Sequence, residues 1–194
     1  SVSALDDPTG HEPWLPDKRS AVKWRFWIRY ERYLSREFGM PLSVVNSLHS
    51  FTDKILERLE DPNRGSPWDR RGMVVGSVQS GKTANYTGLV CKAIDSGYKL
   101  IIVLAGIHSN LRSQTQLRID EGVTGFDTRN SRKLNPNNLW IGVGKNPGER
   151  YPIHSLTSSA EDGDFSKKVA TQMNVMLGSD PVVLVVKKNS SLLK

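Results

Sequence analysis

A single cysteine, Cys91, excludes a disulfide framework and any cysteine-based zinc site. It falls in a helix-compatible run and reads as a small buried hydrophobe. The sequence has no unbroken apolar run of about 18 residues and no secretory leader, so no membrane partner is expected and a cytoplasmic location is. The four histidines, His11, His49, His108 and His154, share no ligand spacing, and no histidine metal site is assigned. Internal repeats and low-complexity stretches are missing too. Acidic residues are in the minority, 20 against 27 Lys and Arg, for a formal charge of +7. That excess favours a polyanionic partner, DNA before others, and says nothing about fold. What remains is ordinary: 194 residues, 37% hydrophobic and 24% charged, enough for one α/β domain with a small appendage.

The most informative stretch runs from Arg71 to Thr83. A short apolar run, Met73–Val75, reads as a buried strand leading into Gly76-Ser77-Val78-Gln79-Ser80-Gly81-Lys82-Thr83, the Gly-x-x-x-x-Gly-Lys-Thr pattern of a phosphate-binding P-loop. Glycines at both ends let the backbone turn tightly against an anion. The loop N–H groups and the following helix N-terminus then face the phosphates of ATP. Lys82 is expected to reach the β- and γ-phosphates, and the Thr83 hydroxyl to ligate Mg²⁺.

Around that stretch the chain divides into three. Residues 1–19 are an irregular lead-in, pinned by Trp14. Residues 20–67 read as a helical hairpin. Its first helix spans residues 20–38, with Ser20 as N-cap, and its second spans residues 43–60, before the breaker at residues 61–67. On the first helix, Arg25, Arg29, Arg32 and Arg36 share one stripe opposite an aromatic arc. The stripe reads as a solvated face paired with Glu31 and Glu37, with phosphate contact as the competing reading. The arc reads as core.

Residues 68–194 read as alternating strands and helices. Strands are expected at Met73–Val75, Lys99–Leu104 (buried on both faces), Leu139–Val143 and Pro181–Val186. Helices are expected at 82–96, about 109–119 and about 164–177, with loop over 144–166. The expected fold class is α/β, an incomplete RecA-like P-loop core with a parallel sheet preceded by the hairpin. That fold would place residues 106–118 and 187–189 on one rim with the P-loop. On this rim Asn110, Arg112, Gln114 and Thr115 are candidate nucleic-acid contacts, with Lys187 and Lys188 beside them.

Residues 76–89, Leu104-Ala-Gly-Ile-His-Ser-Asn-Leu-Arg-Ser-Gln-Thr-Gln (104–116) and Val-Val-Lys-Lys-Asn (185–189) together resemble the endonuclease Z-one domain family. That family is similar to superfamily-two helicases and accompanies DNA-modification, restriction and defence systems. The resemblance covers roughly residues 20–194. It implies an ATP-dependent DNA-processing protein, helicase- or translocase-like, with a second RecA-like lobe as partner and associated DNA cleavage.

Several features depart from that pattern. No expected strand ends in the carboxylate of a Walker B motif, so weak hydrolysis is expected. The sequence begins at Ser1 and stops at Lys194 just after a strand-like run, and reads as part of a longer chain. No glutamine precedes Gln79 to read adenine; Trp68 and Arg70 are the stand-ins. Glu161, Asp162 and Asp164 read as a solvated loop rather than a nuclease site. Two alternatives stay open. One is a P-loop kinase for a small acceptor, with Arg129 and Arg132 in its lid. The other is a non-catalytic interaction module with a vestigial P-loop.

Overall fold

The computed structural model describes residues 10–75, 81–173 and 180–188. Its elements are α1 (Leu15–Lys18), α2 (Arg25–Arg36), α3 (Leu42–Arg58), α4 (Lys82–Ser96), β1 (Leu100–Ala105), α5 (Ser109–Ile119), β2 (His154–Ser155), α6 (Lys167–Met173) and β3 (Val182–Lys187). The architecture is mixed α/β. Its small open sheet has the order β1-β3-β2, and both pairings are parallel. Register along β1 and β3 runs from Leu100 opposite Val182 to Ala105 opposite Lys187.

One hydrophobic cluster spans the molecule. It joins Trp27, Tyr30 and Leu34 of α2, Val45 of α3, Val90, Cys91 and Ile94 of α4, Ile119 of α5, and Val183 and Val185 of β3. The breaker at residues 61–67 therefore joins elements that share this cluster. The aromatic arc of α2 is core, as its periodicity predicts. Trp14 pins the lead-in: it is buried, and its indole N–H donates to the Leu59 carbonyl at 2.7 Å.

Helix α2 starts later than Ser20, because its cap comes from another helix. The Asp95 carboxylate, on α4, accepts the backbone N–H groups of Arg25, Phe26 and Trp27 at 3.1, 3.0 and 2.8 Å. A carboxylate there satisfies orphan donors and suits the positive end of the helix dipole. Burial nevertheless pushes the Asp95 carboxyl up to about 6. A second bond between helices comes from Lys92 of α4. Its ammonium is buried, donates to the His49 carbonyl and to Asp53 of α3, and lies 4.2 Å from the centre of the Trp27 ring.

Three expected strands need correction. Met73–Val75 forms no strand and is exposed, Met73 at 86% and Val75 at 83%. Leu139–Val143 is not a strand either: Trp140 makes an isolated antiparallel bridge to Phe126, and a 3-10 turn follows at Gly142–Lys145. The expected loop at 144–166 instead contains the two-residue strand β2. Strand β1 lies at the edge of the sheet, with alternating exposure; Leu100, Ile102 and Leu104 face outward. Among the described strands only β3 has the near-continuous burial of a central parallel strand.

The arginine stripe also resolves differently. Arg29 at its centre is buried, donating to the carbonyls of Glu149 and Val123 beneath the Phe26 and Tyr151 rings. Arg32 pairs with Glu149, and Arg25 lies over Tyr151. The middle of the stripe, Arg29 and Arg32, thus docks on residues 123–151, while Arg25 and Arg36 stay exposed as a solvated face would.

Candidate functional site

Gly76, Ser77, Val78, Gln79 and Ser80 lie outside the described residues. The described part of the P-loop pattern begins at Gly81, whose φ of +72° is the left-handed conformation that favours glycine. Lys82 opens the 15-residue helix α4, and Asn85 N–H closes its first turn onto the Gly81 carbonyl at 3.0 Å. Gly81, Lys82 and Thr83 are all exposed. The first-turn N–H groups of a helix of this length carry positive partial charge and suit an anion. Lys82 and the Thr83 hydroxyl are the residues there that could hold a triphosphate and its Mg²⁺. Burial raises the Tyr86 hydroxyl pKa, with the nearby Thr83 hydroxyl acting against that rise. Among the expected adenine contacts, Trp68 packs edge-on against Tyr98, and Arg70 donates to the Arg58 carbonyl at 3.2 Å.

The second half of the expected site is built by α5. Its span, Ser109–Ile119, places Asn110, Gln114 and Arg118 at i, i+4 and i+8 on one exposed face. Thr115 is half-buried and returns its hydroxyl to the Leu111 carbonyl at 2.7 Å. Arg112 points the other way and has 0% exposure. It donates to the Ser158 and Ala160 carbonyls, and its Nε lies 3.2 Å from Asp164 Oδ1. In the free protein Arg112 is therefore an internal brace, its guanidinium closed off from solvent. Lys187, at the end of β3, is half-buried and pairs with Asp164 at 2.8 Å, while Lys188 is exposed.

The rim is accordingly joined in part. The start of α5, the end of β3 and the loop residue Asp164 meet. No described hydrogen bond or ion pair links Lys82 or Thr83 to Ser109, Arg112, Asp164 or Lys187. Among the described strands none ends in a carboxylate, but the fold carries one to the end of β3 from a loop. Sequence reasoning placed Asp164 in solvent; no local signal identified it as the partner of residues 52 and 23 positions away.

Sequence reasoning also missed a buried polar network beneath α5. Gln116 donates to Asp120 at 2.9 Å and to Ser155 at 3.2 Å, and accepts from Thr157 at 2.6 Å. Thr157 in turn accepts the backbone N–H of Val185, so the network ties α5 to β2 and β3. Burial pushes the Asp120 carboxyl up to about 7, against hydrogen bonds from Thr128 and Gln116. Between the ordinary carboxyl range near pH 4 and pH 7, the folded protein holds a proton that the unfolded chain has lost. Asp120 therefore favours folding at acid pH and loses that contribution as pH rises through about 7. The melting temperature of Asp120→Asn relative to wild type should be several degrees more favourable to the variant at pH 7.5 than at pH 4. Parallel thermal melts at the two pH values measure it; an equal difference at both would contradict the assignment.

No protein-family model, no curated protein and no solved structure matches this chain.

Proposed function

We propose that this chain is the ATP-binding part of a DNA-processing ATPase, helicase- or translocase-like and of the kind found in DNA-modification or defence systems. The observation that carries the reading is the join at Gly81. A left-handed glycine leads directly into a long helix whose first two residues are the exposed Lys82 and Thr83 of a Gly-x-x-x-x-Gly-Lys-Thr sequence. The parallel sheet supports a RecA-like core as the finer description of the fold. The exposed face of Asn110, Gln114 and Arg118, together with Lys188 and the net positive charge, supports a DNA backbone as partner. Endonuclease association rests on the sequence resemblance alone.

One observation favours the interaction module with a vestigial P-loop: the run before the loop, Met73–Val75, is exposed and outside the sheet. The two readings part on nucleotide binding. ATP with Mg²⁺ stabilises a chain with a working site and leaves a vestigial one unchanged. Binding of a labelled oligonucleotide, measured alongside, extends the test to the DNA-processing reading.

A further inference from the structure

Three charged groups from distant parts of the sequence meet at the carboxyl end of β3. Asp164 sets one carboxylate oxygen 3.2 Å from Arg112 Nε and the other 2.8 Å from Lys187 Nζ. Lys187 Nζ also lies 3.5 Å from the Ser109 hydroxyl, in the first turn of α5. Arg112 cannot turn away, because its terminal nitrogens are held by the Ser158 and Ala160 carbonyls and the Ser113 hydroxyl. Its Nε is buried and has no hydrogen-bond acceptor of good geometry, so the nearby Asp164 charge is what compensates it. The turn that delivers Asp164 is closed by Ser158 N–H on the Gly163 carbonyl at 2.8 Å. Two cations thus share one carboxylate. The cluster still opens to solvent, with about 30% of the Asp164 side chain and 25% of Lys187 exposed. Lys188 and Asn110, the neighbours of this cluster in sequence, are exposed.

We propose that Arg112 and Lys187 form a seat for a phosphate group of a polynucleotide backbone, and that Asp164 is an internal ligand filling that seat in the free protein. A carboxylate and a phosphodiester both offer two anionic oxygens to a guanidinium and an ammonium. Exchange of one for the other leaves the charge of the seat unchanged and releases Asp164 into water. Arg112 Nε, covered by Asp164 in the free protein, becomes available only when that residue leaves. Because the internal ligand is tethered, it competes at high effective concentration and weakens binding of any external anion. The proposal rests on the DNA reading only for the identity of the anion; it does not involve Lys82 or ATP.

The test is binding of a short fluorescein-labelled single-stranded oligonucleotide, without nucleotide, at fixed ionic strength. Asp164→Ala should bind about tenfold more tightly than wild type. Asp162→Ala, which removes the same charge from a neighbouring exposed residue, should gain far less. Adding Lys187→Ala to Asp164→Ala should abolish the gain. Asp164→Asn, which keeps the side-chain shape, repeats the comparison should the alanine variant fail to fold. Equal gains from Asp162→Ala and Asp164→Ala would reduce the effect to general electrostatics and overturn the seat. Competition by inorganic phosphate or ATP as effective as that by unlabelled oligonucleotide would overturn the assignment to a polynucleotide backbone. Because the direct binding measurement contains no ATP, its failure leaves the P-loop reading standing, and failure of ATP binding leaves the seat standing.

Discussion

Gly144→Ala should cost at least about 4 kcal/mol and leave little folded protein. A Cβ at Gly144 would stand 1.9 Å from the Gly125 carbonyl oxygen, a backbone atom with no rotamer by which to move aside. The same oxygen accepts the Ile141 N–H at 3.0 Å, so shifting it breaks a bond that holds residues 141–144 against the helical turn Asp120–Thr124 that follows α5. Gly142 has the same problem, 2.0 Å from the Glu121 carbonyl oxygen, with a φ of +46° besides. Two backbones therefore lie in direct contact between residues 121–125 and 142–144, with Val123 and Val143 buried in the core beside them. A domain of this size is stable by roughly 5–15 kcal/mol, so the loss takes a large share of the total. Gly148→Ala is the control: its nearest neighbour is the Asn146 side chain at 3.7 Å, an ordinary contact. Urea denaturation of the two variants should separate them widely; similar midpoints would contradict the packing of this turn.

Arg29→Ala should destabilise the fold by about 3–5 kcal/mol. The side chain is 1% exposed and supplies the donors for two carbonyls, Glu149 at 2.7 Å and Val123. Its guanidinium also stacks on Phe26 and Tyr151, 4.4 and 5.1 Å from the ring centres. Truncation leaves both carbonyls short of a donor and opens a cavity between α2 and the 123–151 segment. Burial lowers the Arg29 pKa to about 10, still above neutral pH, so the group is charged in the folded protein. Arg29→Lys should recover little, since one ammonium cannot span two carbonyls and stack on two rings. Arg36→Ala, at the far end of the same stripe, should cost under about 0.5 kcal/mol. Equal losses at both positions, read from thermal melts, would show that the stripe is an ordinary surface.

Arg29 also shows where sequence reasoning stops. The 100° spacing that groups it with Arg25, Arg32 and Arg36 is real, and α2 forms inside the expected span 20–38, although it starts only at Arg25. Periodicity reports which residues share a face. It does not report what lands on that face, and here the covering segment comes from about a hundred residues later. The same limit hid the burial of Arg112 and Lys92, long cations whose acceptors lie 39–48 positions away. By contrast α3, α4, α5, β1 and β3 sit within a few residues of where local pattern and breakers place them. Their signals are carried inside each segment by apolar spacing, glycine stops and β-branched runs. Met73–Val75 and Leu139–Val143 carried similar signals but were only three and five residues long. Runs so short become strands only where an edge is free to receive them, which is a property of the whole fold. Of the candidate site, the helix start at Lys82 and the α5 boundaries were legible, and the charge cluster around Asp164 was not.

The central claim is that Lys82 and Thr83 open a working nucleotide site, and its most direct test is a thermal melt with and without ATP and Mg²⁺. Ligand at a hundredfold excess over Kd contributes about 2.7 kcal/mol, enough to raise the melting temperature by several degrees in a chain of this length. The wild-type chain should show that rise, and Lys82→Ala should melt at the wild-type temperature without ligand and fail to rise with it. No rise in the wild type, or an equal rise in Lys82→Ala, would contradict the account.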